Sequence, residues 1–387
     1  MQNPLLMKFP WTIVAVLAVN SLSATPKTET PASVEHATFN SRWSASIESE
    51  VKERIMRLNI PFKVRYDEEV SSTIKEYVTN GYRDTELMLG RTSAYFPIFE
   101  HYLNVYGLPK ELRYLPIVET GLNIKAYSGA GAAGLWQFIA PSARMYGLEV
   151  NHTVDERFDA YRATEAAVSM LARLHSHYKD WSLVLAAYNC GPARVNAAIR
   201  EAGCRDFYTV ANYLPQETQH YIPRFIAAAY ITNYHKHHGI SPRYKGAFGK
   251  PLRGVKLFES YTIGEVAHAS GVPVEVLRQL NPAYRRSIIP ANERGHYLLL
   301  PASGLRGLKG LVSARSGRFD HGHRLLYPNA FELAYVVKPG ESIEEIASRY
   351  NCTVQEIAAW NQLSEEEVFV NQEVTLYVAE LIAPIKP

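Results

Sequence analysis

The stretch whose reading decides the fold runs from Glu111 to Phe138, "ELRYLPIVETGLNIKAYSGAGAAGLWQF". Most of Tyr114–Val118 is apolar, a carboxylate follows at Glu119, and a loop of Gly, Ala and Ser comes next. Leu112, Leu115 and Glu119 are spaced i, i+3 and i+7, which on a helix sets the carboxylate near the apolar face. Burial disfavours the charged form of an acid, so the pKa of Glu119 is expected to rise. An acid that keeps its proton near neutral pH can act as a general acid. The same spacing also suits a carboxylate that caps or pairs inside a core.

The surroundings bear on that choice. Gly129, Gly131 and Gly134 leave room for a chain to lie close to the backbone. Gln137 can hydrogen-bond a sugar hydroxyl or an N-acetyl group, and Trp136 reads as core rather than as a stacking platform. Further on, "LAAYNCGPARV" ends a helix with Tyr188 and Asn189. The Tyr188 hydroxyl is placed either to bond a catalytic carboxyl or to satisfy a backbone carbonyl. Asp155, Asp159 and Glu165 are possible second carboxylates, but none has a comparably apolar setting, and Asp159 has the position of a helix cap. Other chemistries lack their motifs. There is no GxxxxGK phosphate loop and no GxSxG elbow, and no strand precedes "GAGAAG" at 129–134.

Outward from this stretch the patterns are helical. "DAYRATEAAVSMLARLHSHYK" predicts one helix over 159–179, and shorter ones are expected at Trp181–Asn189, over 192–201 and after Pro223. Residues 46–110 carry further helical patterns, and Pro109 is expected to open the helix of Glu119. Composition shifts after His238, where Gly and Pro recur at short intervals. Beyond lies an internal repeat with an offset of 80: Thr262–Asn281 over Ser342–Asn361 sets Ile263 on Ile343, Glu265 on Glu345, Ala267 on Ala347 and Asn281 on Asn361. Each copy reads as strand–helix–helix–strand, closing with "HYLLLP" at 296–301 and "EVTLYV" at 373–378. The basic, Gly-rich segment between the copies reads as a solvated linker.

The remaining features narrow the setting. In 387 residues the net charge is only +3, which gives little support to a nucleic-acid role. Lys8, the apolar run Trp11–Val19 and the small residues Ser21, Ser23 and Ala24 form a signal-peptide pattern, with an uncleaved anchor as the alternative. Of three cysteines, Cys190 and Cys204 suit either a local disulfide or separate buried thiols, and Cys352 is left over. His235, His237 and His238 are expected in a solvated loop, as are His321 and His323; no metal site is read from them.

"LPIVETGLNIKAYSGAGAAGLWQF", "LAAYNCG" and "LPQETQHYIPRFIAAA" resemble the lytic transglycosylases with a lysozyme-like domain, in the group of membrane-bound murein transglycosylase D. The two repeats resemble LysM modules, which bind N-acetylglucosamine-containing glycans. The resemblance covers about 60–235 and 257–378. It implies a multidomain chain: an all-α lysozyme-like catalytic domain followed by two small βααβ LysM-like modules. The expected boundaries are 1–24 for the signal peptide, 25–59 for a leader and helix, and 60–238 for the catalytic domain. A linker at 239–254, a divergent module at 255–302, a linker at 303–332 and a module at 333–379 follow. Glu119 matches the single catalytic glutamate, Gln137 the GLxQ glutamine and Ser128 a serine lining the cleft. Tyr188 and Asn189 match the AYN motif, and Tyr221 the tyrosine of the ETxxYVP signature. Thr120, Cys190 and Ile222 depart from the usual Ser, Ala and Val. The implied partner is the peptidoglycan glycan strand, with no cofactor, no nucleic acid and no membrane span in the mature form. The implied reaction cleaves the MurNAc–GlcNAc bond and leaves 1,6-anhydro-MurNAc ends. A hydrolytic muramidase and a non-catalytic wall-binding protein are the alternatives.

Overall fold

The structure is a computed structural model. It describes residues 43–316 and 331–350, positions 354, 357, 358, 361 and 363, and residues 368–378. The signal-peptide pattern, Cys352, His321 and His323 lie outside the described residues. Among those residues, no helix is long and apolar enough to cross a membrane. The chain divides into two compact units at Phe248/Gly249.

Unit one is helical, and small polar residues start its principal helices. Ser44 caps α1 (Ala45–Ile55) and Asp67 caps α2 (Glu68–Val78). The long α3 (Tyr82–Val105) follows. After it the chain makes a 3-10 turn, Lys110–Tyr114, and only then the short α4 (Leu115–Thr120) that carries Glu119. The single helix expected after Pro109 is therefore two pieces, because Pro116 sits in the first turn of α4, where its missing N–H costs nothing. Then come α5 (Ala140–Met145), α6 (Ala160–Tyr178), α7 (Trp181–Cys190), α8 (Pro192–Ala202), α9 (Phe207–Val210), α10 (Gln216–Gln219) and α11 (Tyr221–Tyr234). Asp159 and Asp180 cap α6 and α7 with their side chains.

The core gathers around α11, which is apolar on nearly every side. Phe225, Ala227, Ala228, Ala229, Tyr230 and Ile231 have no accessible surface. The three alanines let α2, α4 and α7 approach closely. A second focus is Trp136, whose ring meets Phe99 edge-on at 5.2 Å between centroids. The histidines at 235–238 are not a solvated loop. His238 is buried and its Nε2 lies 2.8 Å from the Tyr230 hydroxyl, while His235 Nδ1 lies 2.7 Å from the Ile240 carbonyl oxygen. These rings fold back on α11 because Gly239 takes a left-handed conformation and reverses the chain.

Unit two holds the repeats. In the first, β1 (Leu252–Leu257) pairs antiparallel with β4 (His296–Pro301), with Gly254 opposite Leu299. A smaller ladder joins β2 (Tyr261–Thr262) to β3 (Ile288–Ile289), and α12 (Ile263–Ser270) and α13 (Val274–Leu280) lie between. A helix, α14 (Leu305–Ser316), follows β4. In the second repeat, β5 (Phe331–Val336) pairs with β6 (Glu373–Val378), Ala334 opposite Thr375, and α15 (Ile343–Arg349) begins between them.

The repeat is visible at single bonds. Thr262 with Glu265, and Ser342 with Glu345, each form a reciprocal capping box. Asn281 Nδ2 donates to the Leu277 and Leu299 carbonyls at 2.8 and 2.7 Å, and its Oδ1 accepts from Leu299 N at 2.7 Å. Asn361 does the same with Ile357, Thr375 and Thr375 N at 2.9, 2.8 and 2.6 Å. A side-chain amide, buried at Asn281 and partly buried at Asn361, thus stands in for a strand, tying the helix end to the closing β-strand.

One expectation fails here. Residues 305–316 are not a solvated linker but α14. Leu308 is fully buried, and a Cβ on Gly307 would lie 1.8 Å from the Ala269 carbonyl oxygen, so α14 rests directly on α12. The glycines that suggested flexibility instead permit this close approach. At the position of Ala269 the second repeat carries Arg349, which binds Glu341 and the Tyr335 hydroxyl.

Candidate active site

Glu119 stands in the last turn of α4. The next residues, Gly121 and Leu122, both adopt left-handed conformations, so the helix stops abruptly after the carboxylate. Arg91, from α3, holds that stop by donating to the Gly121 carbonyl at 3.0 Å. Leu112 and Leu115 beneath it are fully buried, while Glu119 keeps some contact with solvent.

The Glu119 carboxyl is pushed up to about 7. Burial is the main cause; a hydrogen bond from the Tyr221 hydroxyl opposes it, and the negative charge of Glu217 adds to it. Tyr221, the first residue of α11, donates its hydroxyl to Glu119 Oε1. Tyr188 is also close, because the charge of Glu119 helps raise its pKa after burial, as it does for Tyr221. Its hydroxyl, however, donates to the Trp136 carbonyl at 2.7 Å and not to the carboxylate. Of the two tyrosines, it is Tyr221 that meets the acid.

The other candidate residues organise the walls. Asn189 is buried and accepts from Thr218 Oγ1 at 2.7 Å, which ties α7 to α10, just before Tyr221. Ser128 Oγ accepts from Ala132 N at 2.9 Å, and Gln137 Nε2 donates to the Gly134 carbonyl at 2.8 Å. Both groups are therefore engaged within the loop itself. Gln137 has φ +50°, a strained value for a non-glycine residue. Trp136 is core, with its indole N–H on Thr164 Oγ1 at 2.9 Å. Gly134 makes room for protein rather than ligand: a Cβ there would lie 1.7 Å from the Arg157 carbonyl oxygen.

Arg157 is the residue that sequence reading missed. Its guanidinium is nearly buried, bonds Asp155 through two nitrogens at 2.9 and 2.8 Å, and reaches the Gly131 and Phe138 carbonyls at 2.8 and 3.2 Å. It fastens the Gly-rich loop at its middle and the chain just beyond it. "DERFD" carries no signal for this, because the partners are backbone carbonyls about 20 residues away. Asp155 is thus a partner of Arg157. Asp159 caps α6 through the Tyr161 and Arg162 amides at 2.8 and 2.9 Å. It too is pushed up to about 7, first by burial. Cys190 is buried and Cys204 partly so, and both are free thiols.

Comparison with known proteins identifies the domains of the chain. Residues 97–210 match the transglycosylase SLT domain, 253–311 the LysM-like domain of lytic transglycosylase MltD, and 335–376 the LysM domain. The membrane-bound lytic murein transglycosylase D of Escherichia coli is 32% identical over 278 residues, 70% of this chain and 60% of that protein. The chain thus spans less than two thirds of that relative. A putative tributyltin chloride resistance protein of Alteromonas is 37% identical over 94 residues, 24% of this chain and 45% of that protein. Among solved structures, the 70 kDa soluble lytic transglycosylase of Escherichia coli superposes with a TM-score of 0.34 at 20% identity, covering 49% of this chain and 33% of that one. The chain is an SLT-domain protein related to the membrane-bound lytic murein transglycosylase D of Escherichia coli, with LysM domains on its C-terminal side.

Proposed function

We propose that this protein is a peptidoglycan lytic transglycosylase of the cell envelope, with Glu119 as its catalytic acid and base. The observation that carries the proposal is the state of that carboxyl. It is desolvated, pushed up to about 7, still reachable by solvent, and anchored through one oxygen to Tyr221. With Oε1 accepting from Tyr221, Oε2 is the oxygen that carries the transferable proton.

Glu119 gives its proton to the oxygen linking N-acetylmuramic acid to N-acetylglucosamine, and the bond from C1 to that oxygen breaks. The resulting carboxylate takes the proton of the C6 hydroxyl on the same muramic ring. O6 then bonds to C1, giving the 1,6-anhydro end and restoring the protonated acid. No water is consumed. The nucleophile is already tethered to the reacting ring, which gives it a large proximity advantage. Burial suits both halves: a proton held to about 7 is available at neutral pH, and the carboxylate left behind is a competent base. The two LysM-type modules raise the local concentration of polymer around this site.

One observation favours hydrolysis as a second reading. Glu217 is near enough for its charge to raise Glu119, so a second carboxylate stands in the neighbourhood, and paired carboxylates are the usual equipment of glycoside hydrolysis. Mass analysis of sacculus digests separates the readings. Anhydro-ended fragments are expected from the protein and none from the Glu119→Gln variant. Reducing ends would establish a muramidase, and binding without any release would establish a wall-binding protein.

A further inference from the structure

The chain's small net charge hides a division between its two modules. Residues 249–316 hold ten Lys and Arg against four Glu, a balance of +6. Residues 331–378 hold two against nine, a balance of −7. Two copies of one fold thus carry opposite charge, and the contrast is sharpest in the sequence just after the repeated asparagine. Four and five residues beyond Asn281 stand Arg285 and Arg286; four and five beyond its counterpart Asn361 stand Glu365 and Glu366.

In the first module the residues after Asn281 form a firmly built turn. Ser287 N donates to the Tyr284 carbonyl at 3.1 Å, and Ile263 N to the Ser287 carbonyl at 2.9 Å. Arg278, from α13, donates to Ser287 Oγ at 3.0 Å, which brings a third guanidinium to the same place. Arg278, Arg285 and Arg286 are all exposed. Among the module's four acids, Glu265 is engaged in the capping box of α12. Exposed guanidinium forks on a rigid turn match carboxylates in both charge and shape.

We propose that this arginine turn makes the first module an anion-contact surface that holds the carboxylates of peptide side chains on the wall polymer, while the second module contributes no such contact. The proposal rests on the peptidoglycan reading above, whose peptides supply those carboxylates. It divides the work between the copies: one grips the charged peptide and the other is left to the neutral sugar. Contacts of this kind weaken as salt rises, because the screening length falls from about 10 Å at 0.1 M to about 3 Å at 1 M.

The test uses the full chain carrying Glu119→Gln, so that sacculi stay intact during binding. Sedimentation with intact sacculi is compared with sacculi whose peptide carboxylates have been converted to amides by a carbodiimide and ammonia, which keeps the cross-links and removes the charge, at low and high salt. Replacing Arg278, Arg285 and Arg286 together by Gln is expected to weaken low-salt binding to intact sacculi about tenfold and to leave binding to the amidated sacculi unchanged. Replacing the same three by Lys keeps the charge and is expected to retain most of the affinity, which separates charge from any structural effect. Equal binding by the Gln variant and its parent overturns the proposal. So does binding that ignores amidation of the peptide carboxylates, or a preference for vesicles of anionic phospholipid over sacculi that depends on the same arginines, since it would assign the turn to a membrane. Product analysis on the unsubstituted chain tests the peptidoglycan reading separately, so failure of one is not mistaken for failure of the other.

Discussion

Glu119 and Asp159 are two carboxyls pushed up to about 7, mainly by burial, in different parts of one helical unit. Their partners differ. Asp159 accepts two backbone amides at the start of α6 and is almost sealed from solvent. Glu119 sits at the end of a six-residue helix, accepts a phenol and remains reachable. A raised pKa therefore records desolvation and does not identify an active group. What distinguishes the candidate acid is that one of its oxygens is fixed while a substrate can still reach it.

The largest effect that could break this contrast is on turnover. Glu119→Gln is expected to lower the release of anhydro fragments by about a thousandfold or more, with sacculus binding kept. Asp159→Asn preserves the cap and is expected to stay within about threefold of the parent. If a folded Asp159→Asn protein lost activity as completely as Glu119→Gln, the two acids would not have the separate roles assigned here.

The pH dependence sharpens the comparison. Turnover is expected to fall as pH rises through about 7, as Glu119 loses its proton. Tyr221→Phe removes a donor that favours the charged form, so that limb should move to higher pH. An unmoved limb would mean that another group titrates in the rate profile.

Stability follows with the same sign for both acids. Each holds its proton more tightly folded than unfolded, so folding is favoured at low pH, and this contribution is lost as pH rises from about 4 to about 7. In chemical denaturation at pH 8, Glu119→Gln is expected to gain about 2 kcal/mol, allowing for the partial exposure of the group. At pH 4 no gain is expected. A gain of equal size at both pH values would contradict the assigned shift.

The smallest effect is expected at Ser128. Its hydroxyl serves the loop, so Ser128→Ala should cost about 1 kcal/mol from an unsatisfied Ala132 amide and change turnover by less than about threefold. A loss of turnover far beyond that, with stability kept, would assign the hydroxyl to the substrate instead.

How legible all this was from the residues depends on the range of each interaction. Helix starts were readable because Asp159 cannot avoid signalling a cap when two amides lie within three residues of it. The raised carboxyl at 119 was readable because Leu112 and Leu115 set its neighbourhood locally. The partner of that carboxyl was not. Tyr188 and Tyr221 are both buried tyrosines that feel the charge of Glu119, and only the packed structure turns one hydroxyl to the acid and the other to a carbonyl. Arg157 and Arg91 act on carbonyl groups far away in sequence, and a carbonyl leaves no trace in residue type. Helix α14 is hidden in the sequence because its glycines have two opposite uses, freedom in a loop and tight packing in a helix.

The paired asparagines have a consequence for how each module ages and misfolds. By borrowing both hydrogen-bonding groups of one residue on the closing strand, Asn281 and Asn361 work as keys cut for a single register. A slip of that strand by even one place would leave the amide without its strand acceptor and donor. A domain with only a two-stranded main ladder has little else to correct such an error, so this amide acts as the proofreader of its assembly.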